Sequence, residues 1–101
     1  MDAAADLFKI LGSSSRLLLL HLLASEPCGV GALVERSEMS QPLVSQHLRT
    51  LRQSGIVTVV RTGREALYHL ADHHIAHVID DAVTHVLEEK TLDKGEIDEH
   101  D

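Results

Sequence analysis

Apolar residues recur at helical spacing in the first third of the chain. Residues 7–11 predict a short first helix that ends at Gly12, where three serines follow. Residues 16–24 are almost continuously apolar, which predicts a central helix packed on several sides before a turn at 25–29. Apolar positions within 30–36 predict a third short helix. This part of the chain therefore predicts three helices.

A fourth helix is marked at both ends. The hydroxyl of Ser40 can cap its first turn, Pro42 stands where a missing amide hydrogen costs little, and Gly55 ends it. Its apolar stripe is Leu43, Val44, Leu48 and Leu51, and its opposite side presents Gln41, Ser45, Gln46, Arg49 and Arg52. The pattern predicts an amphipathic helix with an uncharged-polar and basic outer face.

The remaining pattern predicts a hairpin and a long last helix. Residues 56–70 are rich in β-branched side chains and predict two strands joined at Thr62–Gly63, with Arg61 and Arg64 beside the turn. Asp72 can then cap a helix. The apolar face of that helix comprises Ile75, Val78, Ile79, Ala82, Val83 and Val86. We expect one mainly α domain with a β-hairpin over residues 1–90, and an acidic, disordered tail at 91–101.

Composition limits the class of protein. A chain of 101 residues fits one domain, and its core is small enough for association with a second copy to add much of the stability. The single cysteine, Cys28, excludes an internal disulfide framework and fits a reducing compartment. The longest run of leucines, 17–20, is far shorter than a membrane span, and residues 1–12 do not resemble a secretory signal. We expect a cytoplasmic protein with no membrane partner.

Charge is divided unevenly along the chain. The net charge is −7, and residues 70–101 carry ten acids against two lysines, whereas residues 40–69 carry four arginines against Glu65 alone. Two helices joined by a brief turn and followed by a basic hairpin describe a winged helix-turn-helix, whose second helix enters the major groove of double-stranded DNA. The predicted DNA contacts are Ser40, Gln41, Ser45, Gln46, His47, Arg49, Arg52, Arg61 and Arg64. The alternative for Arg49 and Arg52 is the solvated side of a surface helix.

Three segments together resemble the ArsR/SmtB family of metal-responsive repressors. They are LGSSSRLLLLHLL, SQPLVSQHLRTLRQSGIV and RTGREALYHLADHHIAHV, and the resemblance covers roughly residues 6–89. It implies a homodimeric winged-helix repressor that binds an operator and is released when metal binds. No catalytic residue is expected.

The last helix carries two pairs of candidate metal ligands that cannot meet within one chain. Asp72 with His74 and His85 with Glu88 each share one end of the helix, but the two histidines are eleven residues apart. That separation is about 16 Å at the helical rise, whereas zinc holds its donors at about 2 Å. If two copies pair these helices antiparallel, each of two equivalent sites combines one pair from each copy. The apolar face beside the ligands would then be the seam of the dimer.

This ligand set also resembles the zinc-sensing site on the C-terminal helix of the family. Four nitrogen and oxygen donors favour tetrahedral zinc, with cobalt as its mimic, whereas nickel usually takes more ligands. His69, His73 and His77 are expected to lie at the surface or behind the ligands, and His100 lies in the tail. A hydrogen bond from His85 toward Gln46 is a connection that the resemblance suggests.

Other classes of function compete with a zinc-responsive repressor, among them a regulator controlled by oxidation of Cys28 and an interaction protein whose acidic tail binds basic partners. Sensors of nickel or cobalt, and winged-helix regulators of a non-metal signal, share the same DNA-binding half. A small metallohydrolase needs an open metal position in a cleft, which four protein ligands at a helix interface do not provide. A thiolate sensor needs more than Cys28, which is expected to be a packed residue.

Overall fold

The chain folds into a helical body with a two-stranded hairpin, in a computed structural model that describes residues 1–95, with side chains through Glu89. The elements in order are α1 Asp2–Leu11, α2 Ser14–Ser25, α3 Val30–Ser37, α4 Gln41–Gln53, β1 Val57–Thr62, β2 Glu65–Leu70 and α5 His73–Gly95. The helix-turn-helix is α3 and α4, and the hairpin follows it. The predicted winged helix-turn-helix is confirmed.

Side-chain caps begin three of the helices. The Ser13 hydroxyl accepts a hydrogen bond from the Arg16 amide at 3.3 Å, so Ser14 and Ser15 belong to α2 and not to a break before it. Ser40 caps α4 in the same way, through the amide of Leu43 at 3.3 Å. Such caps satisfy backbone amides that have no partner inside the helix. The predicted cap at Ser40 is confirmed.

The link between α3 and α4 is short, and the backbone takes a left-handed conformation at its first residue. Glu38 ends α3 with a φ of 63°, a left-handed conformation that is uncommon outside glycine. Two residues later Ser40 begins α4. After α4, Gly55 has a φ of 76° and directs the chain into β1. After these turns α4 packs against both α3 and β1.

The hairpin pairs β1 with β2 in antiparallel register from Val57–Leu70 to Thr62–Glu65. The two residues between the strands are Gly63, with a φ of 62°, and Arg64. The predicted turn at Thr62–Gly63 is therefore displaced by one residue, because Thr62 still pairs in the ladder and the positive φ falls on the glycine.

The core is built almost entirely from leucine and other aliphatic residues. Its fully buried members are Leu19 and Leu20 from α2, Leu33 from α3, Val44, Leu48 and Leu51 from α4, Ile56, and Ile79 from α5. Since α2 packs against α1, α3, α5 and β2, its predicted central place is confirmed. Cys28 is 3% exposed, which confirms that it is a packed residue.

The apolar face of α5 divides between two environments. Ile79 is 1% exposed and packs in the core, with Ile75 and Val83 packed against it, whereas Val78 is 39% and Val86 51% exposed. The sequence predicts that the whole face forms the dimer seam, and that prediction is wrong for Ile79. Its surface is already used within its own chain, so only the stripe that contains Val78 and Val86 is available to a partner.

The last helix continues to Gly95, although the sequence predicts a disordered tail from residue 91 onward. Residues 96–101, including His100, lie outside the described residues. Among residues 1–95 no single helix is long and apolar enough to cross a membrane. Taken together, α1 and α2 have sufficient length and apolar character, but they are bent by 91° relative to each other.

Candidate nucleic-acid and metal-binding sites

One face of α4 is buried and the opposite face is open. Val44, Leu48 and Leu51 are at most 1% exposed, so they fix the rotation of the helix about its axis. The predicted DNA contacts Ser40, Gln41, Gln46, Arg49 and Arg52 are all exposed, and Ser45 is half-buried. Amide and guanidinium groups on this face can donate to base edges or phosphates. The structure therefore presents a polar strip along the second helix of the helix-turn-helix.

His47 differs from the other predicted DNA contacts. It is half-buried on the flank of α4, and its pKa is lowered from 6.5 by burial and then by the nearby positive charge of Arg16 on α2. Both causes disfavour the imidazolium form. The side chain of His47 thus faces the protein more than the open strip.

The lowered pKa of His47 makes a prediction about acid stability. Because the pKa of His47 is lower in the folded state, this contribution is full above the unfolded pKa of about 6.5 and is lost as the pH falls from that value through the lowered folded pKa. The loss of unfolding free energy between about pH 7.5 and about pH 5.5 should be smaller in His47→Gln than in the wild type. Urea unfolding measures it, with the exposed His21→Gln as the control. Equal losses in the wild type and His47→Gln would contradict the assignment.

Four arginines on α4 and the hairpin have no acidic partner among the described side chains. Within those residues the ion pairs are Arg36 with Glu26 at 2.8 Å and His85 with Glu89 at 3.9 Å. Arg61 and Arg64 are exposed at the end of the hairpin, like Arg49 and Arg52 on α4. The positive charge of this surface is therefore available to an external anion.

A polar depression of about 480 Å³ lies between α4 and β2. It is lined by Ser45, Arg49, Arg52, Gln53 and Tyr68. Neither Tyr68 nor Gln53 was predicted to contact DNA. Tyr68 lies on β2, which also pairs with Cys28 through a bridge at residue 68. This contact is long-range, so no local sequence pattern predicts it. The scarcity of aromatic residues in the chain was the one signal that could have drawn attention to it.

The first pair of candidate metal ligands lies together at the start of α5. The Asp72 Oδ1 atom accepts a hydrogen bond from the Ile75 amide at 3.0 Å, which confirms the predicted cap and leaves the second carboxylate oxygen open. Asp72 and His74 line one depression of about 130 Å³, beside Val78. The His74 ring centroid is 4.2 Å from that of His73. A carboxylate and an imidazole, both possible metal ligands, thus line the same accessible depression.

The second pair lies about three turns further along the same helix. His85 has 73% of its side chain exposed, and its Nε2 atom is 3.9 Å from Glu89 Oε2. Glu88 is also exposed. Among the described residues of one chain, no three His, Cys, Asp or Glu side chains come close enough to hold a metal ion. The structure thus keeps the two pairs apart, as a continuous helix must.

The donor set of the four side chains suits zinc. Two imidazoles and two carboxylates are exposed to solvent, and their donor atoms can be reached without rearranging the core. Within the described residues no hydrogen bond joins His85 to Gln46, and α5 packs chiefly against α2 and β2. A connection between His85 and α4 is thus not part of this conformation of the single chain.

Sequence comparison gives the family of this fold. Residues 13–59 match the model of the bacterial regulatory proteins of the arsR family. The chain is 40% identical to the transcriptional regulator NmtR of Mycobacterium tuberculosis over 80% of its length and 68% of that protein. The chain belongs to the ArsR/SmtB family. This family consists of transcriptional regulators, so the expectation that the chain is not an enzyme is confirmed.

Further relatives of this ArsR/SmtB chain agree in sequence and in fold. It is 48% identical to the transcriptional repressor SmtB of Mycobacterium tuberculosis over 88% of its length, and it spans 66% of the length of that repressor. The structure of HlyU from Vibrio cholerae matches 85% of the chain and 91% of HlyU, with a TM-score of 0.75 and 31% identity. A homodimeric winged helix-turn-helix domain, Mb0332 from Mycobacterium bovis, matches 94% of the chain and 86% of that domain, with a TM-score of 0.77 and 27% identity.

Proposed function

We propose that this chain is a zinc-responsive transcriptional repressor that acts in the cytoplasm. It binds operator DNA as a metal-free homodimer, and zinc releases it by binding between the α5 helices of the two copies. The observation that carries the proposal is the separation of two ligand pairs along one exposed helix, on a chain whose DNA-binding face has unpaired arginines. Kinship with a repressor named SmtB supports repression.

The proposed dimer pairs α5 with its copy in antiparallel fashion. The exposed stripe with Val78 and Val86 supplies apolar surface on the side of α5 that its own core leaves open. In this arrangement Asp72 and His74 of one copy face His85 and Glu88 of the second, which gives two equivalent sites. A homodimeric domain of similar fold supports the twofold assembly. When bound, zinc supplies a tetrahedral link between the two helices.

The proposed DNA contact follows from the open face of α4. Gln41, Gln46 and Arg49 would meet base edges or phosphates in the major groove, and Arg61 and Arg64 would meet the backbone or adjacent minor groove. Two copies related by a twofold axis present two such faces, so the operator should contain two half-sites. A change in the distance between the two α4 faces of the dimer would therefore change how well they fit the two half-sites.

Linkage connects the two ligands. If the metal-bound dimer fits operator DNA poorly, operator DNA must weaken zinc binding by the same factor. The α5 helices form both the metal sites and the seam, so pulling them together can reorient the α4 helices of the two copies. His85 can hold metal through one ring nitrogen and donate a hydrogen bond from the other, a link to α4 near Gln46 that the metal-bound state would have to form.

The test is binding of the purified dimer to a duplex selected from a random-sequence library, with and without zinc. We expect tight binding without metal and release when zinc is added. Cobalt spectra should report four-coordinate metal. A six-coordinate cobalt spectrum together with release of DNA by nickel would identify nickel as the signal in place of zinc. DNA binding that no metal changes would indicate a non-metal signal.

Salt dependence tests the contribution of the hairpin. Each phosphate that a cation contacts contributes about 0.9 to the slope of log binding constant against log salt. Arg61→Gln should therefore lower the magnitude of that slope by about 0.9 for each hairpin in contact, while the preference among sequences stays the same. Fluorescence anisotropy over a salt series measures both. An unchanged slope would remove Arg61 from the interface.

A further inference from the structure

We propose that the depression between α4 and β2 is a seat for one phosphate group of the DNA backbone, with the Tyr68 hydroxyl as a donor beside Arg49 and Arg52. This site rests on the proposed binding of operator DNA and extends it to a strand residue. Ser45 and Gln53 complete the lining. The ligand class is a phosphodiester of duplex DNA.

The side chains around the depression have no hydrogen-bond or ion-pair partner among the residues that the structure describes. Neither guanidinium forms an ion pair with a described acid, and the hydrogen bonds of Tyr68 within the described residues are made by its backbone alone. A phosphate oxygen accepts hydrogen bonds from guanidinium, hydroxyl and amide groups. Three types of donor group, among them two positively charged guanidiniums, line one open depression and favour phosphate over an apolar or cationic ligand.

The backbone of Tyr68 is held from both sides, which fixes the point from which its side chain extends. Its amide donates to the Cys28 carbonyl at 2.7 Å, and its carbonyl accepts from the Cys28 amide at 3.2 Å. On the other side it pairs with Val59 of β1. Cys28 itself is 3% exposed, so this anchor belongs to the core. A donor on an anchored backbone loses only side-chain freedom when DNA binds.

The position of the depression fits the path of a DNA strand. An α-helix with side chains is about 10–12 Å wide and the major groove about 12 Å, so residues on the flanks of an inserted helix meet phosphates. Arg52 and Gln53 lie in the last turn of α4, on the side that faces the hairpin. A strand that passes between an inserted α4 and the hairpin must cross this depression.

The test compares Tyr68→Phe and Arg52→Gln with the wild type on two metal-free probes: the selected duplex and a shuffled duplex of the same composition. A phosphate contact carries no sequence information, so each variant should weaken both probes by the same factor. We expect Tyr68→Phe to lower the affinity for DNA about tenfold, which is the order of magnitude for the loss of a hydrogen bond to a charged acceptor. The slope of the salt dependence should stay the same. Arg52→Gln should also lower the slope by about 0.9 for each α4 in contact.

A methylphosphonate scan locates the seat. When a single phosphate of the selected duplex is replaced by a neutral methylphosphonate, the loss caused by Tyr68→Phe should disappear at one position in each half-site and persist elsewhere. Lys9→Gln on α1 removes one charge away from the depression and serves as the matched control. Melting temperatures equal to the wild type show that the variants are folded.

The outcomes separate this site from the proposed function. Wild-type protein that binds neither probe overturns DNA binding itself. Wild-type binding with Tyr68→Phe unaffected overturns the phosphate seat alone. A loss restricted to the selected duplex, or one that no methylphosphonate position removes, also overturns the seat, because it assigns Tyr68 to base recognition or to the support of α4.

Discussion

Replacing His85 with Ala should leave a protein that binds the selected duplex without metal but no longer releases it when zinc is added. The change removes one of the four proposed donors, and 73% of this side chain is exposed, so the core is not disturbed. Loss of a group behind a metal ligand lowers affinity about 10–100-fold, and loss of a ligand should lower it at least as much. DNA anisotropy with added zinc, and competition with a chelator, measure the two effects.

Nearby residues provide matched controls for His85. His77 is an exposed histidine on the same helix outside the proposed set, so His77→Ala should release DNA as the wild type does. Glu89 lies 3.9 Å from His85 Nε2 in the single chain, whereas Glu88 is the proposed ligand. Glu88→Gln should therefore weaken zinc binding and Glu89→Gln should not. Zinc-driven release that survives His85→Ala would exclude the proposed site.

The local parts of this fold could be predicted from the sequence because their signals act over a few residues. Ser40, Pro42 and Gly55 mark the two ends of α4, and the structure has the helix at Gln41–Gln53. The cap at Asp72 has the same basis, since its carboxylate reaches an amide three residues away. In the hairpin the strands were predicted and the turn was displaced by one residue, because the positive φ belongs to Gly63.

The parts that depend on tertiary packing could not be predicted in this way. Helical periodicity places Ile79 and Val78 on one broad apolar face, but only the position of α2 decides that Ile79 is buried and Val78 exposed. The partial burial of His47 could not be predicted either, because it depends on the packing of α4 near Arg16 of α2. The place of Tyr68 beside the candidate DNA surface also depends on tertiary structure, because Tyr68 pairs with Cys28, forty residues earlier in the sequence.

The division of charge along the chain has a structural counterpart. The four arginines of α4 and the hairpin have no acidic partner among the described side chains, whereas α5 carries four of the eight histidines of the chain and five acids against two lysines. A DNA backbone is repelled from the acidic helix and attracted to the basic face, which favours one orientation of the protein on the duplex. The same acidic helix attracts cations. The two proposed ligands of opposite charge are thereby directed to different elements, DNA to α4 and the hairpin and the metal ion to α5.

Two neighbouring residues of α5 should give opposite results when they are changed. Successive residues of a helix point about 100° apart, and here Ile79 faces the core at 1% exposure while Val78 is 39% exposed. Ile79→Ala should lower the free energy of unfolding by about 2–5 kcal/mol, the usual cost of truncating a buried aliphatic residue to Ala. Denaturant unfolding measures this loss.

Val78→Asp should leave each chain folded and separate the dimer. A carboxylate on the exposed stripe costs little in a single chain, but in the seam it would be buried without a partner. Analytical ultracentrifugation should therefore find a monomer that has lost tight zinc and operator binding together, because each proposed metal site takes two donors from each copy. A Val78→Asp protein that stays dimeric and binds zinc as the wild type does would place the seam elsewhere, and the two ligand pairs would then have no means of meeting.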